Sequence, residues 1–167
     1  MKPSNYKVLV VDDDEAIRNL IVTVLSTPGH HCVAAIDGND ALNKANKNKF
    51  DAVITDIIMP GMDGITLARE LSEQYHNLPI MILTGYDDPY SPATAVAAGA
   101  REFIRKPFSV VEFTIRFHKM MRDYEILRQI LAEKNEIIFN SDKEFAEKIE
   151  GYEADGEDVT NIYRGQA

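Results

Sequence analysis

Five polar side chains stand directly at the ends of short apolar runs in this sequence. They are Asp12, Asp13, Asp56, Thr84 and Lys106. Continuous apolar runs are typical of strands buried on both faces of a parallel sheet, and the carboxyl ends of such strands meet at one edge. We therefore expect three carboxylates, a hydroxyl and an ammonium group to lie close together.

The chemistry of such a group favours a metal-assisted phosphoryl transfer. Three neighbouring carboxylates repel one another unless a cation lies among them. Oxygen ligands select a hard ion, Mg²⁺ in the first place and Mn²⁺ as the other candidate. An ammonium and a hydroxyl could hold phosphoryl oxygens, and a carboxylate can itself be the nucleophile. The pattern thus predicts phosphoryl transfer onto an aspartate.

The elements that must position these residues alternate along the chain. Five apolar runs are separated by segments with apolar residues at helical spacing, which predicts an α/β fold with a parallel sheet covered on both faces. The predicted strands are 6–11, 32–36, 50–55, 79–84 and 102–105. Asp14 precedes the first helical segment, and we expect it to cap that helix.

Composition limits the classes of function. The 167 residues include 18 Lys and Arg against 27 Asp and Glu, a net charge of −9, which argues against direct binding of nucleic acid. The single cysteine, Cys32, cannot form an internal disulfide, so we expect a reducing compartment, the cytoplasm. Neither a secretion signal nor a membrane-spanning stretch is expected. His30 and His31 follow Pro-Gly and are predicted to be solvated loop residues, whereas Cys32 is predicted to be buried.

Four segments carry a resemblance to one family. VLVVDDDEAIR, DAVITDIIMPGMDG, MILTG and FIRKPF are similar, in order and spacing, to the CheY-like receiver domain of bacterial two-component response regulators, over roughly residues 7–122. The resemblance implies a flavodoxin-like (βα)5 fold, a doubly wound parallel sheet of order 2-1-3-4-5 with an extended C-terminal helix.

The resemblance also assigns the metal site and the phosphoacceptor. Asp56 would be the phosphorylated residue and would contribute an oxygen to Mg²⁺. Asp13 would be a direct ligand, Asp12 would act through water, and the backbone carbonyl of Ile58 would supply the remaining protein ligand. Ile58 and Tyr86 occupy the two positions that tune dephosphorylation in the family, and since neither carries an amide or carboxylate to align water, we expect a long-lived phosphoryl group.

Three further positions would respond to phosphorylation by the same resemblance. Thr84 would bond the phosphoryl group through its hydroxyl, and Lys106 would pair with it. The Lys106–Pro107 peptide is expected to be cis. Phe103 would be the switch aromatic that moves as Thr84 moves.

The function implied is a phosphorylation-dependent signalling switch. A sensor histidine kinase or phosphotransfer protein would be the donor, and the receiver would phosphorylate and dephosphorylate itself without being a turnover enzyme. One alternative is a metal-dependent phosphatase with Asp12 as nucleophile, suggested by the Asp-x-Asp pattern of Asp12 and Asp14. Others are a purely structural dimeric adaptor and the N-terminal receiver part of a longer multidomain regulator.

The C-terminal residues form an additional element. We expect a receiver domain over 1–122 with its last helix from about residue 109, a helical extension over 123–150, and an acidic, flexible tail over 151–167, with Gly151 and Gly156 interrupting the helix. Apolar residues recur at heptad-like spacing, with Lys134 as an interruption, at Phe113, Phe117, Met120, Tyr124, Leu127, Leu131 and Ile138. This predicts a coiled-coil homodimer; a frayed linker and a fold-back are the alternatives.

Overall fold

The computed structural model describes residues 5–85 and 89–154. Five strands alternate with five helices in the chain. The strands are β1 (Lys7–Val11), β2 (His31–Ala35), β3 (Ala52–Asp56), β4 (Ile80–Thr84) and β5 (Glu102–Arg105). The helices are α1 (Glu15–Ser26), α2 (Gly38–Lys47), α3 (Gly64–Gln74), α4 (Pro92–Ala97) and α5 (Val110–Ala154).

The strands form one parallel sheet in the order β2-β1-β3-β4-β5. This confirms the predicted doubly wound fold and its strand order. The three middle strands are fully covered because helices lie on both faces, and β3 and β4 have no exposed residue. Their continuous apolar sequences follow from that burial.

Alternate residues of each strand supply two separate hydrophobic cores. Leu9 and Val11 point into one core, with the apolar sides of α2, α3 and α4. Val8 and Val10 point into the other, with α1 and the first turns of α5. The period-two alternation of a strand therefore places consecutive residues of β1 in different cores.

Helix α5 differs from the prediction at its end. The chain divides into two compact units, Met1–Tyr124 and Glu125–Ala167, and α5 begins in the first and ends in the second. The helix continues through Gly151 to Ala154, so the expected interruption at Gly151 is wrong. One glycine costs a helix only about 1 kcal/mol relative to alanine, which does not oblige the helix to end. Gly156 and the rest of the predicted tail, 155–167, lie outside the described residues.

The predicted heptad seam has two different environments. In the first unit Phe113, Phe117 and Met120 are buried in the core beside the sheet. In the second unit Leu131 and Ile138 are exposed. Only the later part of the seam therefore leaves apolar side chains uncovered in the structure.

His30 is buried, contrary to the prediction of a solvated loop residue. Its ring stacks on Tyr6 at 5.2 Å between centroids and contacts Phe117 at 5.6 Å. The local Pro-Gly context gave no sign of these distant aromatic partners. His31 begins β2 and is exposed, and Cys32 is only half-buried.

Candidate functional site

Four strands deliver the polar residues predicted from the sequence to one edge of the sheet. Asp12 directly follows β1, Asp56 ends β3, Thr84 ends β4, and Lys106 directly follows β5. The parallel register places Asp56 beside Leu83, and Thr84 beside Arg105. The strand ends therefore align, and the residues after them converge.

Three carboxylates form the acidic part of this site. Asp12, Asp13 and Asp56 each offer one oxygen, and these oxygens lie within 4.8 Å of one another. Asp12 is fully buried and Asp56 is 7% exposed, whereas Asp13 is exposed. Oxygen donors at this spacing, open to solvent on the Asp13 side, fit a hard divalent ion that retains part of its water.

Lys106 is the cation that faces this cluster. Its Nζ lies 2.7 Å from Asp56 Oδ1 and 3.0 Å from Asp12 Oδ2. Burial alone would lower the pKa of Lys106, but the hydrogen bonds and charges of Asp56 and Asp12 outweigh it and hold that pKa above its ordinary value. The amine therefore stays protonated, and the charge of two carboxylates is partly compensated.

Asp12 is fixed at three points. Its Oδ1 accepts a hydrogen bond from the backbone N–H of Asp14 at 2.9 Å, and its Oδ2 accepts one from Lys106. Arg18 donates from Nη1 to the Asp12 carbonyl at 2.6 Å. Since both carboxylate oxygens are engaged and the residue is buried, Asp12 is poorly placed to be the nucleophile of a phosphatase.

The neighbouring acid, Asp14, has a different role. Its Oδ1 accepts from the backbone N–H groups of Ala16 at 2.8 Å and Ile17 at 3.3 Å. It therefore caps α1, as the sequence predicted.

Gly64 was not recognised from the sequence as part of the site. It begins α3, and its backbone N–H donates to the carbonyl of Ile57 at 2.8 Å. A Cβ at this position would overlap the backbone carbonyl of Asp56. The pair Asp63-Gly64 is typical of a turn, but the close approach of Gly64 to Asp56 is visible only in the structure.

The remaining predicted positions surround this pocket. Thr84 is buried, and its hydroxyl donates to the Gly85 carbonyl at 3.2 Å. Phe103 is half-buried beside the core of α2, α3 and α4. The side chain of Ile58 is exposed just after β3, and the ligand role of its carbonyl stays a prediction. Tyr86 lies outside the described residues. The Lys106–Pro107 peptide is cis, as predicted.

An apolar cavity of about 330 Å³ opens beside the pocket. Ile17 and Leu20 of α1 form one wall, and Pro107 and Phe108 form the other, with Lys106 between the cavity and the carboxylates. The cavity thus presents apolar surface next to Lys106 and the carboxylates that it contacts.

Comparison with known proteins agrees with this geometry. The profile of the response regulator receiver domain matches residues 8–118, more than half of the chain. The alkaline phosphatase synthesis transcriptional regulatory protein PhoP of Bacillus subtilis is 35% identical over 132 residues, which cover 79% of this chain and 55% of that protein. The response regulator MprA of Mycobacterium sp. strain KMS is 36% identical over 116 residues, 70% of this chain and 50% of that protein.

Solved structures show the same fold. The chemotaxis protein CheY4 of Vibrio cholerae has a TM-score of 0.66 and 33% identity, and the match covers 70% of this chain and 99% of that one. The chain spans about half the length of the curated relatives that it matches. Since the family profile, the strand order and the convergence of acids and lysine all agree, the chain belongs to the response regulator receiver domain family of two-component systems.

Proposed function

We propose that Asp56 is the phosphoacceptor through which this receiver works as a phosphorylation-dependent switch. The observation that carries the proposal is the contact of Asp56 Oδ1 with Lys106 Nζ at 2.7 Å, beside two further carboxylates. Asp56 lies at the end of β3 and retains some exposure, whereas Asp12 is sealed. Of the two buried carboxylates, Asp56 is therefore the one that a donor can approach.

The proposed reaction is an in-line transfer from a phosphohistidine. A carboxylate oxygen of Asp56 attacks phosphorus, the P–N bond breaks, and the imidazole leaves with the bond's electron pair and is protonated. Lys106 is charged and contacts the Asp56 carboxylate, so it can neutralise a phosphoryl oxygen on that residue. Asp12, Asp13, Asp56 and the carbonyl of Ile58 would hold Mg²⁺, or Mn²⁺, which supplies additional positive charge at the transferring oxygens when bound.

Thr84 and Phe103 are the proposed response elements. The Thr84 hydroxyl donates to its own neighbouring carbonyl, that of Gly85. A phosphoryl group on Asp56 adds about 1.5 to 2 negative charges and offers a stronger acceptor. We expect the hydroxyl to turn toward it, and the half-buried ring of Phe103 to move into the vacated space.

The proposed donor is a sensor histidine kinase or a phosphotransfer protein. Its apolar surface would cover the cavity between α1 and Phe108, which places its phosphohistidine next to Lys106 and Asp56. We propose that this exchange takes place in the cytoplasm, as the one unpaired cysteine, Cys32, favours. None of the helices in the described ranges has the length and apolar character needed to cross a membrane.

Labelling with acetyl phosphate tests this proposal. We expect the wild type to gain one phosphoryl group in the presence of Mg²⁺, measured by intact-protein mass spectrometry, and Asp56→Asn to gain none. Glu70→Gln, on the exposed side of α3, is a control that removes one carboxylate elsewhere. Labelling of Asp56→Asn at the wild-type level would overturn the assignment, and turnover of a small phosphomonoester that depends on Asp12 would instead favour the phosphatase.

We also propose that the second unit joins two copies of this chain through its helix. Apolar side chains form two adjacent rows at spacings of four and seven residues, and five of them are substantially exposed. They are Ile126, Ile130, Leu131, Ile137 and Ile138. A second copy carries the same repeat, and matched heptads are what a coiled coil requires. Signalling would thus proceed by protein contact, without direct contact of this chain with nucleic acid.

The oligomeric state decides this second proposal. Light scattering of the whole chain should show a dimer, and Leu131→Glu should give a monomer because the new charge lies on the apolar rows. Gln129→Glu introduces the same charge on another side of the helix and should leave the dimer intact. A wild type that is monomeric with and without acetyl phosphate would overturn it.

A further inference from the structure

We propose that Tyr90 is a positioning residue whose hydrogen bond to Asp63 fixes the start of α4 to the start of α3, and so slows phosphorylation of Asp56. The inference rests on the proposed function of Asp56 as phosphoacceptor. It concerns a contact between the two loops that leave β3 and β4.

The contact is direct and specific. The Tyr90 hydroxyl donates to Asp63 Oδ2 at 2.8 Å. The other oxygen of the same carboxylate, Oδ1, accepts from the backbone N–H of Thr66 at 2.7 Å and caps α3. Capping α3 needs only one side-chain oxygen, which a serine at this position could also provide. The second oxygen of Asp63 is the one used by Tyr90.

The pair joins the N-terminal ends of the helices that follow β3 and β4. Asp63 is the N-cap of α3, the helix after the strand that ends at Asp56. Tyr90 immediately precedes Ser91, whose hydroxyl caps α4. A bond between Tyr90 and Asp63 therefore fixes the start of α4 to the start of α3.

The environment keeps this hydrogen bond intact. Burial alone would raise the pKa of Asp63, but hydrogen bonds from Thr66 and Tyr90 outweigh it and hold the pKa below its ordinary value. The bond to Asp63 in turn raises the pKa of the Tyr90 phenol. The carboxylate is thus charged and the phenol protonated throughout the neutral range, while the Tyr90 ring packs against the core of α2, α3 and α4.

The restraint opposes the proposed movement of Thr84. In the structure the Thr84 hydroxyl donates to the Gly85 carbonyl. We expect its turn toward Asp56 to shift the start of α4, which Tyr90 holds to Asp63. Loss of the bond should favour the rearranged state and hence the transition state that uses Thr84.

Two substitutions test the restraint in the whole 167-residue chain. Tyr90→Phe removes only the hydroxyl, and Asp63→Ser keeps a helix-capping oxygen but cannot reach Tyr90. The measurement is the rate at which acetyl phosphate labels Asp56 at saturating Mg²⁺. We expect each variant to be labelled roughly threefold faster, a fraction of what a charge-assisted hydrogen bond contributes, because the Tyr90–Asp63 pair is partly exposed. The double variant should be no faster than either single variant, because both remove the same contact.

Tyr75→Phe is the matched control. The Tyr75 hydroxyl donates to the carbonyl of Ala45 at 3.0 Å and ties α3 to α2, away from Asp56. We expect its labelling rate to equal that of the wild type. If Tyr90 had a merely structural role, Tyr90→Phe would lower the thermal stability and leave the labelling rate unchanged or reduced. A faster labelling rate therefore separates the two roles.

The outcomes distinguish this inference from the function on which it rests. If the wild type is not labelled on Asp56, the proposed function fails. If the wild type is labelled and Tyr90→Phe is no faster, or the effects of the two substitutions add, the restraint is overturned. Should Asp63→Ser not fold, Tyr90→Phe still decides, since it removes a single oxygen atom.

Discussion

Neutralising Asp13 should stabilise the protein when no divalent ion is present and destabilise it, relative to the wild type, when Mg²⁺ is added. Asp13 is the exposed member of a cluster whose oxygens lie within 4.8 Å of one another. Asp13→Asn keeps the shape of the side chain and removes its charge. The substitution therefore separates repulsion within the cluster from the binding of a cation by it.

The size of each effect follows from the geometry. Two unit charges 4.8 Å apart repel by about 0.9 kcal/mol in water and by about 3.5 kcal/mol at an effective dielectric constant of 20. Because Asp13 is exposed and Lys106 already offsets the other two acids, we expect a gain near the lower value, about 1 kcal/mol. Mg²⁺ at ten times its dissociation constant would stabilise the wild type by about 1.4 kcal/mol. The order of stabilities should therefore reverse.

Urea unfolding followed by far-ultraviolet circular dichroism measures both terms. Each protein is unfolded at neutral pH in EDTA and again in Mg²⁺. Asp14→Asn is the matched control because it removes a neighbouring charge outside the cluster, and asparagine caps a helix as well as aspartate does. It should respond to Mg²⁺ as the wild type does.

Two results would refute this reasoning. If Asp13→Asn is less stable than the wild type in EDTA, repulsion does not govern the cluster. If Mg²⁺ stabilises Asp13→Asn as much as the wild type, Asp13 is not a ligand.

Three further changes have defined outcomes. Gly64→Ala should lower the free energy of unfolding by about 1 to 3 kcal/mol, measured with urea, because its methyl group meets the Asp56 carbonyl. Burial in the first place, and then the charge of His118, lower the pKa of His30 below its ordinary value of 6.5. The unfolded protein therefore binds more protons than the folded protein, and the free energy of unfolding should fall as the pH drops below 6.5. His30→Asn should weaken this pH dependence, measured as the urea midpoint at each pH. Ile58→Asn should speed loss of the phosphoryl group from labelled protein, because an amide there can align water.

Each of these three has an outcome that contradicts it. Gly64→Ala with wild-type stability would mean that the loop after β3 moves freely away from α3. An unchanged pH dependence of stability in His30→Asn would show that the pKa of His30 does not differ between the folded and unfolded states. An Ile58→Asn variant that dephosphorylates at the wild-type rate would refute the expectation of a long-lived phosphoryl group.

The convergence of the polar residues was predictable because a parallel sheet imposes it. Asp56 and Thr84 end strands whose apolar runs are visible in the sequence, and strand ends of this kind must meet. Lys106 was predicted to lie at this edge for the same reason, because it directly follows the fifth strand. Here local pattern and tertiary position are tied by one geometric rule.

Other features depend on contacts between distant residues and left no local pattern. His30 is buried by Tyr6 and Phe117, which belong to other elements. The pairing of Tyr90 with Asp63 joins two loops that no periodicity relates. The helix through Gly151 shows the converse, since the glycine that was expected to interrupt α5 costs less than the helix propensity of its neighbours contributes.

The position of Lys106 has a consequence for the folded state when no metal ion is bound at the acidic cluster. The lysine acts as a tethered counterion, present at a fixed effective concentration whatever the medium contains. The acidic pocket can therefore fold without the metal, unlike small domains that unfold when a chelator removes theirs. Under the proposed function, a fall in magnesium would stop phosphorylation while leaving the protein folded, and phosphorylation would resume when the ion returns.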